Sequence, residues 1–268
     1  MIPALFDTRP RVALLRLAGV ISPRPGLGGG LSLAGVAPLL DRAFAIKRLS
    51  AVFLAINSPG GSAVQSSLIA ARIRRLADEK KLPVVACVED AAASGGYWLA
   101  CAADEIVADP ASILGSIGVI AAGFGLPAAL EKLGVERRVH TAGTEKSFWD
   151  PFRPERPEDV ARLELLLAEL HAEFRAWVKQ RRGAKLALPD DELFSGRFWA
   201  GRRAVELGLA DRLGDADGEA KRRFGEKVRI IPVGAPRRPW PLRLLPGLSA
   251  EAAIAAVEER AAWARLGL

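Results

Sequence analysis

The chain is short of the residues that most often carry hydrolytic or metal chemistry, with two histidines and two cysteines in 268 residues. Cys87 and Cys101 have thirteen residues between them and stand in apolar stretches. They show neither the spacing of zinc ligands nor the density of a disulfide scaffold, so both are expected as reduced core residues, as suits a reducing compartment. A dinucleotide fingerprint is missing too: Pro23–Gly30 is rich in glycine but not in G-x-G-x-x-G order, and is expected to be a mobile loop. Met1–Pro10 contains Asp7, Arg9 and Pro10 and no long apolar core, so no signal peptide is expected there. No internal repeat is evident.

Charge of one sign is in modest excess, a formal +7. The arginines are scattered over Arg72–Arg75, Arg181–Arg182, Arg202–Arg203 and Arg222–Arg223 without interleaved aromatics. That pattern fits solvated helix faces and excludes a single-strand nucleic-acid face. Long uncharged runs are nearly absent. Ala111–Leu130 is the exception, twenty residues without a charge and long enough to cross a bilayer. Gly115, Gly118, Gly123, Gly125 and Pro127 break it into a strand-sized piece, a turn and a helix start, as in a buried segment of an α/β core.

Half of the residues are apolar, enough for one substantial core. Short β-branched runs alternate with longer amphipathic stretches, the pattern of βαβ units around a mostly parallel sheet. Strands are predicted at Val12–Leu17, Ala51–Ile56, Pro83–Val88, Glu105–Ala108, Ile117–Ile120 and Arg137–Thr141. Helices are predicted at Ala34–Lys47, Ser62–Asp78, Ser94–Ala102, Pro127–Leu133 and Pro157–Arg182. In the last, Leu163, Leu166, Leu167, Leu170, Phe174 and Trp177 recur at helical spacing and should form a buried stripe, on the sheet or on another subunit. The expected organisation is one α/β domain over residues 1–233, a Pro-rich linker over 234–249 and a helix over 250–268. That terminal helix is expected to dock or to oligomerise, with peripheral contact at a membrane surface as the alternative.

Two strand-to-helix junctions carry candidate chemistry. In Ile56-Asn57-Ser58-Pro59-Gly60-Gly61-Ser62 the proline and paired glycines force a tight turn, and bare backbone amides near a helix start suit an oxyanion. An ordinary turn would look the same. In Glu89-Asp90-Ala91-Ala92-Ala93-Ser94-Gly95-Gly96-Tyr97 a serine among small residues follows a strand. It has the setting of a nucleophile or of an N-cap, and Ala92 replaces the first glycine of a G-x-S-x-G elbow.

A serine nucleophile needs a base. His140 and His171 lack any triad context, and a lysine can serve if burial makes its neutral form accessible. Lys146, in Gly143-Thr144-Glu145-Lys146-Ser147-Phe148-Trp149-Asp150-Pro151-Phe152, has aromatic neighbours able to supply that desolvation. Glu145 beside it would favour the charged amine, but on an extended segment adjacent side chains point opposite ways, so Glu145 should face out.

Taken in order, Asn57–Ser62, Asp90–Tyr97, Cys101–Ala108, Leu114–Ile120, Gly143–Phe152 and Ser195–Asp211 resemble the successive motifs of the signal peptide peptidase A family, over about Val12–Val233. The resemblance implies an α/β fold of Clp protease/crotonase type, with repeated strand–strand–helix units and a mostly parallel sheet. It implies a Ser–Lys dyad serine peptidase, with Ser94 as nucleophile, Lys146 as base and Ser116 holding the lysine by a hydrogen bond. The N–H groups of Gly61 and Gly95, with Gly60 beside them, would form the oxyanion hole. No cofactor and no metal is implied. The implied partners are an extended, largely apolar peptide substrate and further copies of the chain, and no nucleic acid. The expected location is cytoplasmic, with peripheral attachment at the inner membrane as the alternative. Many members of the family carry an N-terminal membrane anchor and some are tandem duplications, whereas this sequence resembles a single repeat without an anchor. A crotonase-type acyl-CoA hydratase or isomerase, or an inactive scaffold of the same fold, are the competing readings.

Overall fold

The computed structural model describes residues 8–23, 30–143, 145–234 and 250–268, the side chains of 250–255 and 258 excepted. Most of the glycine-rich stretch Pro23–Gly30 and of the Pro-rich linker therefore lies outside the described residues. The chain divides into two compact units, the described residues of Met1–Gly118 with Arg175–Leu268, and Val119–Phe174.

The first unit opens with β1 (Arg11–Ala18), α1 (Leu33–Phe44), β2 (Leu49–Ser58), α2 (Ala63–Lys80), β3 (Val84–Ala93), α3 (Gly95–Ala100), β4 (Glu105–Ala108) and β5 (Ile113–Gly115). The second holds α4 (Pro127–Lys132) and the start of α5 (Pro157–Arg182), whose last turns belong to the first unit. The rest of the first unit consists of α6 (Asp190–Leu193), β6 (Phe198–Ala200), α7 (Gly201–Glu206), β7 (Arg212–Leu213), α8 (Ala216–Phe224), β8 (Arg229–Val233) and α9 (Ala250–Ala264).

Among the described residues eight strands make one sheet, in the order β6-β5-β3-β2-β1-β8, with β4 joined to β3 and β7 to β4. All described pairings are parallel except that of β5 with β6. β2 lies in the middle and is buried from Ala51 to Ser58, so it reads as a continuous apolar run rather than an alternating one. β8 occupies an edge, where Pro232, which has no N–H to give, costs no ladder bond on the open side. One sheet face packs Val12, Phe53, Val85, Cys87 and Val107 against Ala220 and Phe224 of α8. On the other, α1 packs on β1 and α3 on β2. Side chains set the helix starts: Ser32 caps α1 and Ser62 caps α2, while the Gln65 carboxamide oxygen accepts from Leu33 N at 2.8 Å. Both cysteines are free and buried, and burial pushes each thiol up to about 12, which keeps them inert as expected.

Several sequence expectations need correction. Ile117–Ile120 and Arg137–Thr141 are not strands. The strand lies earlier, at Ile113–Gly115, because those residues reach Ala91–Ala93 of β3, and Gly118 N already turns back to Ser116 O. Arg137 and Arg138 are exposed on the second unit and have no ladder partner there to make them extended. The uncharged run Ala111–Leu130 is core only in its first half, since Ile120 and Phe124 are exposed. Among the described residues no helix is long and apolar enough to cross a membrane. On α5 the apolar stripe is buried only at Phe174 and Val178, whereas Leu165 and Leu166 are exposed.

The last segment is fastened by charges that burial would otherwise penalise. The Glu219 side chain of α8 is 2% exposed and meets Arg212, Arg222 and Arg223. Burial alone would raise its carboxyl, but hydrogen bonds from Arg222 and Arg223 and the surrounding positive charge hold it at about 2. A carboxyl lowered on folding adds stability above the unfolded value of about 4.3, and that stability is lost as pH falls toward the folded one. Glu219→Gln should therefore cost about 2–4 kcal/mol in urea unfolding at neutral pH, by leaving arginines unpaired. The deficit should shrink between pH 5 and 2, where the wild type loses the same contribution.

Candidate active site

β3 does not run straight to its end. Val85–Val88 pair with β4, and Ala91–Ala93 with β5. The register against β2 slips at the same place, Ile56 facing Val88 while Ser58 faces Ala92. Asn57 therefore spans Glu89, Asp90 and Ala91, and such a bulge bends the strand.

Ser94 follows at φ 51° and ψ −120°, a conformation few non-glycine residues adopt. It is the sharp strand-to-helix turn that lifts a serine hydroxyl clear of the backbone. Ser94 occupies the N-cap position of α3, yet its side chain makes no capping bond, so the cap alternative is not realised. The turn is held from behind instead, with Ser94 N donating to Gly115 O at 2.8 Å. Gly60, at φ 104°, lies flat against it. A Cβ there would stand 2.8 Å from Ser94 Cβ and 2.9 Å from Gly95 N. The close approach that the first glycine of a G-x-S-x-G elbow would supply thus comes from the neighbouring strand end.

Gly61 is exposed, at φ 139°. Ile21 N donates to Gly60 O and Ile21 O accepts from Ser62 N, both at 2.8 Å. Since neighbouring peptide groups of an extended chain point opposite ways, Gly61 turns its own N–H away from Ile21. Gly95 opens α3, so its N–H is one that a helix start leaves without an internal partner. The Gly61 nitrogen stands 3.4 Å from the place a Gly95 Cβ would take. The backbone nitrogens of Gly61 and Gly95 are thereby brought close together at the Ser94 turn.

Ser116 is tied to the same assembly through one peptide group. Gly115 O accepts from Ser94 N, and Ser116 N donates to Arg197 O at 2.6 Å. Ser116 too has positive φ, 52°, and the Trp199 ring fills the space over Gly115. Arg197 and Trp199 belong to the Ser195–Asp211 motif, which braces Ser116 from β6.

Lys146 belongs to the second unit. Glu145–Trp149 form a turn rather than an extended segment, and the Lys146 side chain is exposed. The aromatic neighbours expected to dehydrate it are engaged elsewhere in that unit: the Arg162 guanidinium lies over the Phe148 ring and that of Arg137 over Phe152. Side chains that are consecutive in a turn radiate in different directions. Glu145 is exposed, as expected, and paired with Arg162. The same unit contains an open cleft of about 990 Å³ with Phe124, Trp149 and Pro151 on its walls and Arg153 and Arg156 at its polar part. Both histidines lie in this unit as well. Among the described residues no three His, Cys, Asp or Glu side chains are grouped so as to hold a metal ion.

Residues 76–228 match the family model described as Peptidase family S49. The chloroplastic serine protease SPPA of Arabidopsis thaliana is 32% identical over 255 residues, which cover 88% of this chain and 36% of that protein. A protein of Brucella abortus named Na(+)/H(+) antiporter NhaA is 47% identical over 285 aligned residues, covering all of this chain and 38% of that protein. The chain thus spans well under half the length of these two relatives. Two solved structures share the fold at 15% and 14% identity, with TM-scores of 0.52 and 0.54. One is a mutant of the 1510-N membrane-bound stomatin-specific protease, covering 85% of this chain and 99% of that one. The other is a further mutant of the same protease in complex with a substrate peptide, covering 93% and 99%. The expected Clp protease/crotonase-like class is thereby borne out.

Gly95 has no room for a side chain, because a Cβ would fall 2.4 Å from Ser66 Oγ. Ser66 is fully buried, its hydroxyl bound to Ser62 O at 2.8 Å. Gly95→Ala should lower the unfolding free energy by about 1–3 kcal/mol through overpacking. Adding Ser66→Ala, which removes the obstructing oxygen, should recover part of that loss; denaturant titration of the three variants measures both effects.

Proposed function

Since the chain belongs to peptidase family S49, we propose that it is a serine endopeptidase in which Ser94 is the nucleophile and Lys146 the general base. What supports this above all is the turn at Ser94, which is strained, makes no side-chain capping bond and has the Gly60 backbone packed against it. A serine used only for structure would have no reason to occupy that conformation.

The neutral amine of Lys146 takes the Ser94 proton as the oxygen adds to the scissile carbonyl carbon. The new oxyanion is held by Gly61 and Gly95 N–H, each contributing roughly 3–4 kcal/mol to the transition state. The lysine ammonium then returns its proton to the departing amine as the C–N bond breaks, leaving an ester on Ser94. A water, deprotonated by the same lysine, hydrolyses that ester. Ser116 orients the amine by a hydrogen bond. Because Lys146 is exposed, a bound substrate has to displace its hydration before the amine acts.

The substrate class is an extended, largely apolar peptide, whose backbone adds as a strand beside Gly61. The aromatic cleft of the second unit agrees with an apolar preference. Self-association agrees with Leu165 and Leu166, which leave apolar surface on α5 67% and 47% exposed. Residues 1–233 would be the catalytic region, with α9 as an appended docking helix.

A fluorogenic apolar peptide should be cleaved by the wild type only, with Ser94→Ala and Lys146→Ala each slower by about 10³-fold or more. Equal cleavage by all three would refute the dyad, and turnover of crotonyl-CoA would favour the hydratase reading instead. Ser116→Ala should lower kcat by about tenfold while sparing KM, as a positioning role predicts.

A further inference from the structure

The bulge in β3 is closed from both sides by buried side chains. On one side Asn57, 8% exposed, accepts from Ala91 N at 3.3 Å through Oδ1 and donates to the Asp90 carboxylate at 2.5 Å through Nδ2. The two ends of the amide are assigned by their partners, because a backbone N–H can only donate and an ionised carboxylate can only accept. On the other side Ser112, 2% exposed, directs its hydroxyl to Val88 O at 3.2 Å and Glu89 O at 2.5 Å. Glu89 itself pairs with Arg16 at 2.8 Å. Peptide groups that the ladder cannot pair across the bulge are thus satisfied by side chains.

These contacts sit where the strand changes partners. Before the bulge β3 follows β4, and after it β5. Ala91 is the first residue of the new pairing and stands three places before Ser94. The angle at the bulge therefore sets the direction in which the last three strand residues deliver the serine. Asn57 also connects this angle to the oxyanion side, since Ser58 and Gly60 follow it and Ser58 Oγ accepts from Gly60 N at 3.2 Å.

We propose that Asn57 and Asp90 form a positioning pair that fixes the bend of β3 and so aligns Ser94 with the N–H groups of Gly61 and Gly95. The inference rests on Ser94 being the nucleophile. Neither residue touches the reacting atoms; each acts through the backbone.

The donor and acceptor can be exchanged to test this. Asn57→Asp keeps an acceptor for Ala91 but sets a second carboxylate against Asp90. Asp90→Asn alone leaves a neutral amide that can present its oxygen to Asn57. Combining the two reverses the direction of the hydrogen bond while both heavy atoms stay in place. Against the fluorogenic peptide, at a temperature below every variant's melting point, Asn57→Asp should lose about tenfold to a hundredfold in kcat with KM within about threefold. The combined variant should return to within about threefold of Asp90→Asn. Amide exchange at Ala91 should quicken about tenfold in Asn57→Ala, which offers no acceptor. A combined variant no faster than Asn57→Asp, an Asn57→Asp enzyme with wild-type kcat, or unchanged exchange at Ala91 would each overturn the pair's role. Full turnover by Ser94→Ala would instead sink the peptidase reading and this inference with it. A silent Ser94→Ala beside a failed exchange would sink the inference alone.

Discussion

Gly60 lies so close behind Ser94 that a single methyl group between them would not fit, and the meeting of the two strand-to-helix turns is built around that contact. It exists because β2 and β3 are parallel neighbours in the sheet. Parallel neighbours end on the same side, so the two turns that follow them meet, and ligands of such sheets bind at those strand ends. The first turn brings the bare backbone of Gly60 and Gly61, and the second brings Ser94 and Gly95 at the start of α3. Side by side they press the backbone of Gly60 and Gly61 against Ser94 and Gly95.

Holding this contact requires strain, and the surrounding core resists it. Gly60, Gly61, Ser94, Gly115 and Ser116 all have positive φ, in three segments far apart in sequence. Strained backbone of this kind persists only where its surroundings over-determine it. Here they do so with hydrogen bonds: Ser94 N to Gly115 O, Ser116 N to Arg197 O, and the Asn57 amide across the β3 bulge. The C-terminal part of the chain adds a further brace to α3. Tyr97 donates to Leu209 O at 2.9 Å, and the buried Arg182 guanidinium binds Gly208 O and Asp211, whose carboxylate also accepts from Ile106 N. Burial, the largest influence on the phenol, pushes Tyr97 well above its ordinary value, so it remains a donor throughout the working range.

The second unit is of a different character. Its walls carry exposed Ile120, Phe124, Leu133, Val135, Leu165 and Leu166, an apolar surface unusual for residues that meet only water. Its own order comes from charges instead: buried Asp159 accepts from Arg156, and Asp150 accepts from Phe152 N and Arg137. Hydrogen bonds from those partners, the largest being Arg156 for Asp159 and the Phe152 amide for Asp150, hold both carboxyls below the usual carboxylate range. The loop that carries Lys146 is thereby shaped by arginines, whereas the Ser94 turn is shaped by glycines and backbone.

The sequence by itself determined the alternation of strands and helices from β1 to β4, the inert cysteines and the two glycine- and serine-bearing junctions. Each of these is a local property, a periodicity or a turn chemistry that a few neighbouring residues settle. Tertiary structure alone decided that Ser94 is not a cap, that Gly60 takes the place of the missing elbow glycine, and that the β strand after β4 lies at Ile113–Gly115 instead of Ile117–Ile120. The same holds for the contacts of Asn57 to Ala91 and Asp90 across the bulge, and for Phe148 and Phe152, which serve arginines rather than the lysine near them. These depend on partners fourteen or more residues away, or on the direction a side chain leaves a turn, and neither is written in local spacing.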